Sequence, residues 1–308
     1  MKLLFETAYN EYLLYVNLKQ KNQSIRSLEY KFKNIIIPYF KDFNIYEIKE
    51  IDYINFQNYI ESKNYSFNYK KNIHFLLSGF FNYCIKYYNL DENIIKKVGC
   101  FKRKNERRKE QDFYTFKEFK NFIKYFDNEI YKQFFILMFF TGTRPGEAMA
   151  LKFSDLYKYY IDINKTIDEH GNREIGTPKS INSYRQIKID KKLYNDLIKL
   201  KKHYIKKHNS ENYDYFLFGG LKPLAPTTIN RYKEKACNKA NLRKIKLHEF
   251  RHSHASLLIN NNILIHEISK RLGHSDISIT LNTYTHAEKK QEKRVIKTLN
   301  RLRLFQPF

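Results

Sequence analysis

The first hundred residues repeat apolar positions with the spacing of amphipathic helices and show no strong strand pattern. Four segments have apolar residues every three or four positions: residues 5–18, 24–40, 51–64 and 66–90. Pro38 lies inside the second segment, where a proline is expected to end or kink a helix. The pattern predicts a helical N-terminal domain over residues 1–98.

Helical signals return after residue 112. Thr115 and Glu118 have the spacing of a capping box, which marks the start of a helix. Gly142 suits a helix end, and Pro145 suits the first position of the next helix. The apolar run at 134–140 is far shorter than the ~20 residues that a membrane span needs, so we expect a buried helix there.

A short β region is expected in the middle of this second half. Strand-like runs occur at residues 159–167, 172–180 and 183–190, with a turn at residues 170–172, and helical patterns follow to the end of the chain. The predicted fold is mainly α with a small antiparallel β-sheet, an α+β fold. A second domain is expected over residues 113–308, with a helical tail at 287–304.

The charge of the chain points to a polyanionic partner. Lys and Arg number 57 against 32 Asp and Glu, a net charge of +25, and nucleic acid is the commonest polyanion that such proteins bind. Six of the eight residues at 102–109 are basic, within a predicted linker at 99–112. The candidate DNA contacts of this linker are Lys102, Arg103, Lys104, Arg107, Arg108 and Lys109.

Cysteine usage and the N-terminus indicate the compartment. Cys84, Cys100 and Cys237 are odd in number and lack the spacing of metal ligands, which is typical of reduced thiols. The first twenty residues have no apolar core of a signal peptide. We expect a cytoplasmic protein.

The stretch at 248–252, His-Glu-Phe-Arg-His, matches the H-E-x-x-H signature of zinc peptidases. The extended signature would need Gly and His where Ala255 and Leu258 stand. Glu267 or Glu288 remains open as a third ligand by spacing alone. The motif is short, so a zinc metallopeptidase is the weaker interpretation.

A second interpretation uses more of the chain. Five motifs follow one another, and each holds one residue or pair of interest: TGTRPGE with Arg144, TPKSINSYRQI with Lys179, LHEFRHSHAS with His248 and Arg251, RLGHSD with His274, and TLNTYTH with Tyr284. Arginine forks bind phosphate oxygens, a tyrosine hydroxyl can attack phosphorus, and Lys or His can exchange protons with oxygen. These residue types suit phosphodiester transesterification without a metal ion or another cofactor.

The order and spacing of these motifs resemble the tyrosine recombinases of the phage-integrase and Xer superfamily. His274 lies 23 residues after Arg251, and Tyr284 lies ten residues after His274, as in that family. The resemblance covers the whole chain. It implies a helical, SAM-like core-binding domain, a basic linker and a catalytic domain, and it implies site-specific cutting and rejoining of DNA for integration, excision or resolution.

Carried over by the resemblance, Arg144 and Arg251 would hold the scissile phosphate. Tyr284 would form a 3′-phosphotyrosyl bond. Lys179, on a β-hairpin, would protonate the departing 5′-oxygen, although Lys188 on the adjacent strand is an alternative for this role.

The resemblance also assigns the histidines and one acid. His248 would act as acid and base near the nucleophile, and His274 would donate a hydrogen bond to a phosphate oxygen. Glu147, three residues after Arg144, would orient the site without doing chemistry. His252 is expected to be a supporting residue rather than a metal ligand.

The expected partner is double-stranded DNA with two inverted half-sites, because the core-binding domain is predicted to start almost at Met1, without room for an arm-binding domain. The resemblance implies a dimer on each site and a homotetramer on two sites, with the tail docked on a neighbouring subunit. A type IB topoisomerase, which shares this chemistry but does not pair sites, is the closest alternative function.

Overall fold

The structure is a computed structural model that describes residues 2–19, 22–103, 112–168, 174–178 and 181–274. The chain divides into two compact units, Met1–Lys109 and Glu110–Phe308. Each unit has its own hydrophobic core. The described residues are mainly helical with small antiparallel sheets, so the predicted fold class is confirmed.

The first unit contains six α-helices among its described residues: α1 Phe5–Asn17, α2 Asn22–Lys31, α3 Ile37–Phe40, α4 Glu50–Glu61, α5 Phe67–Tyr88 and α6 Ile94–Val98. The predicted second helix is not uniform, because a π-helical turn, Phe32–Ile36, separates α2 from α3. Pro38 lies in the first turn of α3, directly after this π-helical turn. The kink expected at this proline is therefore a change of helix type just before it.

Aromatic rings fill the first core. Phe5 lies between Phe40 and Phe80, with ring centroids 5.3 and 4.7 Å away. Phe101 is also buried in this core, although it belongs to the segment predicted as a linker. The side chain of Gln57 donates to the carbonyl of Gly99, which fastens the end of the unit.

The second unit contains seven α-helices among its described residues: α7 Phe116–Ile123, α8 Glu129–Thr141, α9 Pro145–Ala150, α10 Lys191–His208, α11 Pro226–Ala240, α12 Glu249–Asn260 and α13 Ile265–Leu272. Its strands are β1 Leu156–Tyr157, β2 Tyr160–Ile163, β3 Thr166–Ile167, β4 Ile175–Gly176 and β5 Arg185–Lys188. The predicted capping box at the start of α7 is present, with Thr115 Oγ1 and Glu118 as partners. The predicted turn at 170–172 lies outside the described residues.

The strands form two small antiparallel sheets, one with the order β1-β2-β5 and one with β3 and β4. Ile161 pairs with Ile187 across β2 and β5, and both side chains enter the second core. Helix α8 carries the apolar run, and Phe134, Phe135 and Met138 are fully buried. No helix within the described ranges is long and apolar enough to cross a membrane.

Candidate active site

Arg144 is fixed at the start of α9 by the residues around it. Helix α8 ends at Gly142, whose positive φ of 68° is the left-handed conformation that glycine adopts easily. Pro145 then opens α9, as predicted, and Arg144 occupies the N-cap. Glu147 accepts the N–H of Arg144 at 2.8 Å on Oε2 and its Nη1 at 2.8 Å on Oε1.

Gly142 also permits a close approach. A Cβ at this position would lie 2.6 Å from Cδ2 of His254 and 2.7 Å from Cδ2 of Leu272. These side chains belong to α12 and α13, so the missing side chain lets the end of α8 pack directly against both helices.

His248 and Arg251 lie one turn apart at the start of α12. His248 occupies the N-cap and is exposed, and its carbonyl accepts the N–H of Arg251 at 3.1 Å. Arg251 itself is only 2% exposed. A buried guanidinium needs partners for its donors, because an unpaired charge away from water is costly.

Two backbone carbonyls supply partners for Arg251. Nη1 donates to the carbonyl of Gly142 at 2.8 Å, and Nη2 donates to the carbonyl of Leu272 at 2.7 Å. Gly142 stands two residues before Arg144, and Leu272 stands two residues before His274. One guanidinium group therefore fastens three of the five sequence motifs together.

His274 follows the end of α13. Gly273 adopts the left-handed conformation with φ of 71°, and the N–H of His274 then bonds to the carbonyl of Ser269 at 3.1 Å. Burial, together with the nearby charges of Arg251 and Arg144, lowers the pKa of His274 to about 4. His274 is thus neutral at pH 7 and carries one N–H that can donate.

Two histidines on α12, His252 and His254, are also neutral. Burial, with His248 and Arg251 nearby, lowers the pKa of His252 to about 4. Burial and the charge of Arg271 lower the pKa of His254 to about 3. Nδ1 of His254 bonds to the carbonyl of Phe139 at 2.9 Å, while Nε2 accepts from Arg271 at 3.1 Å.

Glu147 is the acidic group of this cluster and is 2% exposed. Burial alone would raise the pKa of its carboxyl group. The hydrogen bonds and charges of Arg185 and Arg144 outweigh that effect and lower the pKa to about 2. The carboxylate is therefore ionised at neutral pH, as a group that holds two guanidinium groups must be.

The structure brings together five of the predicted residues, as the hydrogen bonds and electrostatic effects above show: Arg144, Glu147, Arg251, His252 and His274. His248 lies one turn from Arg251 on the same helix. The sequence indicated each of these positions through short motifs.

Several other predicted residues lie outside the described ranges. Tyr284, Lys179, the helical tail at 287–304 and most of the basic linker belong to this group. Lys102 and Arg103 are described, and both are exposed. The guanidinium of Arg103 lies 5.7 Å from the ring centre of Phe67.

Lys188, the alternative to Lys179, is an exposed residue of β5. Side chains alternate between the faces of a strand, so Lys188 lies on the face opposite Arg185, which reaches into the cluster. This position argues against Lys188 as the general acid.

The zinc interpretation finds no third ligand among the described residues. His248 and His252 are neighbours, with ring centroids 5.3 Å apart. Within the part of the chain that the structure describes, no group of three or more His, Cys, Asp or Glu side chains is arranged to hold a metal ion. Glu267 is exposed on α13, and Glu288 lies outside the described residues.

Three residues that support the cluster were not predicted from the sequence: Arg185, Arg271 and His254. Arg271 donates to the carbonyls of Lys188 and Phe140 at 3.1 and 3.0 Å. A signal existed for Arg185, because strand alternation places it on the same inward face as Ile187. No local pattern distinguishes Arg271 or His254, because their partners are distant in sequence.

Family models place the chain in a known class. The model described as the phage integrase family matches residues 112–291, and that of the phage integrase N-terminal SAM-like domain matches residues 4–60. These matches define an enzyme, a site-specific DNA recombinase of the tyrosine type. The chain belongs to the phage integrase family, and the resemblance found in the sequence is confirmed.

Two relatives are similar over most of their length. The ICEBs1 integrase of Bacillus subtilis is 29% identical, and the alignment covers 97% of this chain and 83% of that protein. A XerC-like tyrosine recombinase of Caldanaerobacter subterraneus subsp. tengcongensis is 30% identical, with 83% and 71% covered. The topoisomerase and peptidase alternatives are not favoured.

Solved structures share the fold at low sequence identity. The Tn1549 transposon integrase, in complex with transposon right end DNA, aligns with a TM-score of 0.73 at 18% identity and covers 96% of this chain and 100% of that chain. A lambda integrase dimer bound to a core site aligns with a TM-score of 0.68 at 18% identity, with 91% and 95% covered. A lambda integrase tetramer bound to a Holliday junction aligns with a TM-score of 0.65 at 17% identity, with 89% and 78% covered.

Proposed function

We propose that the chain cuts and rejoins double-stranded DNA through a covalent 3′-phosphotyrosyl intermediate on Tyr284. The placement of Arg251 is the observation that carries this proposal. Its guanidinium is buried and fixed by two carbonyls, and it connects the segments that hold Arg144 and His274. Arg144, Arg185 and Arg251 carry three positive charges against the single negative charge of Glu147. This excess of fixed positive charge is complementary to a phosphodiester.

The charged groups of the cluster suit a pentacoordinate phosphorane transition state. Arg144 and Arg251 would bind the non-bridging oxygens, where negative charge builds up. His274 is neutral, so it would donate its one N–H to a phosphate oxygen without adding charge. Because these donors are held by the protein before DNA arrives, they need little reorganisation during the reaction.

The proton transfers complete the reaction. The hydroxyl oxygen of Tyr284 attacks phosphorus and gives its proton to His248, while the bond from phosphorus to the 5′-oxygen breaks. Lys179 protonates that 5′-oxygen. Rejoining reverses these steps, with the 5′-hydroxyl of a new strand as the nucleophile, and no external energy source is needed.

The two parts of the chain would share the work. We assign DNA core binding to residues 1–98, a basic linker to 99–112 and catalysis to 113–308. Lys102 and Arg103 are exposed and available for phosphate contact. With each neutralised phosphate, the slope of log affinity against log salt should become steeper by roughly 0.9.

The assembly proposed for this chain is a dimer on each site with inverted half-sites, and a homotetramer on two paired sites. Its support is the likeness in fold to lambda integrase, which was solved as a dimer on a core site and as a tetramer on a Holliday junction. The tail at 287–304 is proposed to dock on a neighbouring subunit.

The experiment uses nicked duplexes that trap a cleaved strand. A pool of such duplexes, tiled across the DNA that flanks the gene for this chain, is incubated with the protein in EDTA. The expected result is a covalent protein–DNA band that Tyr284→Phe abolishes. No band from the whole pool, or a band that persists in Tyr284→Phe, would contradict the proposal.

A further inference from the structure

Arg185 at the start of β5 has a buried guanidinium group, and its side chain is 6% exposed. Nη1 and Nη2 donate to the two carboxylate oxygens of Glu147 at 3.1 and 2.9 Å. This two-point contact is the fork geometry in which Arg binds carboxylate most strongly. It fixes the orientation of the carboxylate as well as its charge.

Glu147 passes that constraint on to Arg144. The oxygen that accepts Nη1 of Arg185 also accepts Nη1 of Arg144 at 2.8 Å. The Arg144 side chain keeps 31% of its surface exposed, so it can still meet a phosphate. The buried Arg185–Glu147 pair therefore holds the exposed guanidinium of Arg144 in place.

Arg185 also contacts the segment that carries His274. Its Nε donates to the carbonyl of Arg271 at 2.9 Å. A Cβ on Gly273 would lie only 3.0 Å from Cδ of Arg185, so the last turn of α13 lies directly on this side chain. Nη1 further donates to the carbonyl of Ser183 at 3.0 Å, close in sequence to Lys179.

We propose that Arg185 is a positioning residue for DNA cleavage: it holds Glu147, and through it Arg144, in register with the turn that carries His274. This proposal rests on the function proposed above. In this role Arg185 acts through its bonds to Glu147 and to the carbonyl of Arg271.

Lysine cannot replace this arginine. An ammonium group is a point charge on a flexible stem, and it cannot form two parallel bonds to a carboxylate while a third donor holds a carbonyl. Arg185→Lys should therefore keep the positive charge but lose the fixed position of Glu147 relative to the turn that carries His274. This separates positioning from simple charge neutralisation.

The test compares Arg185→Gln and Arg185→Lys with a matched control, Lys165→Gln. Lys165 is paired with the buried Asp155 in the same unit, so its loss also breaks a buried ion pair, but it has no bond to the Arg144 cluster. A misplaced reacting group costs roughly 100-fold in rate, so both Arg185 variants should form the covalent adduct about 100-fold more slowly. DNA affinity in a gel shift should stay within about threefold, and Lys165→Gln should cleave like wild type.

A second readout follows the Glu147 carboxyl in the DNA-free protein by carbon NMR between pH 4 and 8. The charged side chains bonded to Glu147 among the described residues are Arg144 and Arg185, with His274 near both. In wild type the carboxylate should stay ionised throughout this range. In Arg185→Gln the Glu147 carboxylate should take up a proton as pH falls, and the cleavage rate should fall with this protonation. The double variant Arg185→Gln/Glu147→Gln should not show this pH dependence of the rate.

The outcomes separate the two proposals. Arg185→Gln cleaving within about threefold of wild type, Lys165→Gln losing as much rate as Arg185→Gln, or an unchanged Glu147 titration would overturn the positioning role. If wild type forms no adduct on any duplex, the proposed function fails instead. The carboxyl titration still decides whether Arg185 holds Glu147.

Discussion

Glu147 and Asp155, two buried carboxylates of the second unit, are neutralised in different ways. Two guanidinium groups, from Arg144 and Arg185, bind Glu147. One ammonium group, from Lys165, binds Asp155, together with backbone and amide donors. The first arrangement has more positive charge than the carboxylate cancels, and the second is balanced.

The difference separates a functional cluster from a structural one. A buried ion pair adds little to stability over an apolar pair, because desolvation offsets the attraction. An excess of fixed positive charge is therefore poorly explained by folding alone. Around Glu147 the excess is exposed on Arg144, at the place where a phosphate is proposed to bind, whereas Lys165 and Asp155 only fasten β-strand connections.

The largest effect should come from Arg251→Lys. Lysine keeps the charge but cannot bond to the carbonyls of Gly142 and Leu272 while facing a phosphate. Removing one oxyanion donor costs on the order of 10²–10³-fold in rate, and we expect the upper end here because the register is lost as well. Single-turnover cleavage measures it. The control is Arg243→Lys, because Arg243 also donates to a backbone carbonyl, and this variant should cleave normally. An equal loss of rate in both variants would contradict the role proposed for Arg251.

Glu147→Gln removes the negative charge and replaces one of the two acceptor oxygens with a donor, so it should slow cleavage by about 100-fold, the cost of a misplaced reacting group. Because the pKa of Glu147 is about 2, wild type keeps this carboxylate ionised from pH 5 to 8. The ratio of the two rates should thus be constant over that range. A ratio that changes with pH would show that Glu147 itself exchanges protons.

Asp155→Asn tests the balanced side of the comparison. Losing one partner of a buried pair costs about 3–5 kcal/mol, and because the Lys165 side chain is 22% exposed we expect about 2 kcal/mol in the free energy of unfolding. Urea unfolding measures this. Cleavage per folded molecule should not change, and a fall as large as that of Glu147→Gln would remove the distinction between the two carboxylates.

Glu249→Gln should have the smallest effect. Burial raises the pKa of Glu249, and its Oε2 is buried without a hydrogen-bond partner. An acid whose pKa is raised by folding destabilises the folded state at pH values above its unfolded pKa. Glu249→Gln should therefore unfold at a slightly higher urea concentration than wild type at pH 7, and at the same urea concentration as wild type at pH 4. The cleavage rate should stay within about threefold, because the proposed mechanism gives Glu249 no part in the reaction. A large loss would show that Glu249 does take part in it.

The sequence was most informative where chemistry lies in short motifs. Arg144, His248 and Arg251 stand in contexts whose spacing carries meaning, and Gly142 and Pro145 announce the helix boundary between α8 and α9. The same spacing produced the false H-E-x-x-H match, because a Glu at position 249 fits both patterns.

The residues that hold the site together were harder to find. Arg185 and Arg271 bond to carbonyls and a carboxylate far away along the chain, and such contacts exist only after folding. The π-helical turn before Pro38 was also missed, because hydrophobic spacing does not separate helix types. Short elements such as α6 give too few residues for a pattern.

Mass spectrometry of the trapped adduct can identify the residue that carries the DNA. The trapped adduct is digested with protease and nuclease, and the peptide that retains a nucleotide is sequenced by mass spectrometry. We expect a 3′-phosphate ester on Tyr284, one of 26 tyrosines in the chain. A nucleotide on any other residue, or attached through a 5′-phosphate, would contradict it.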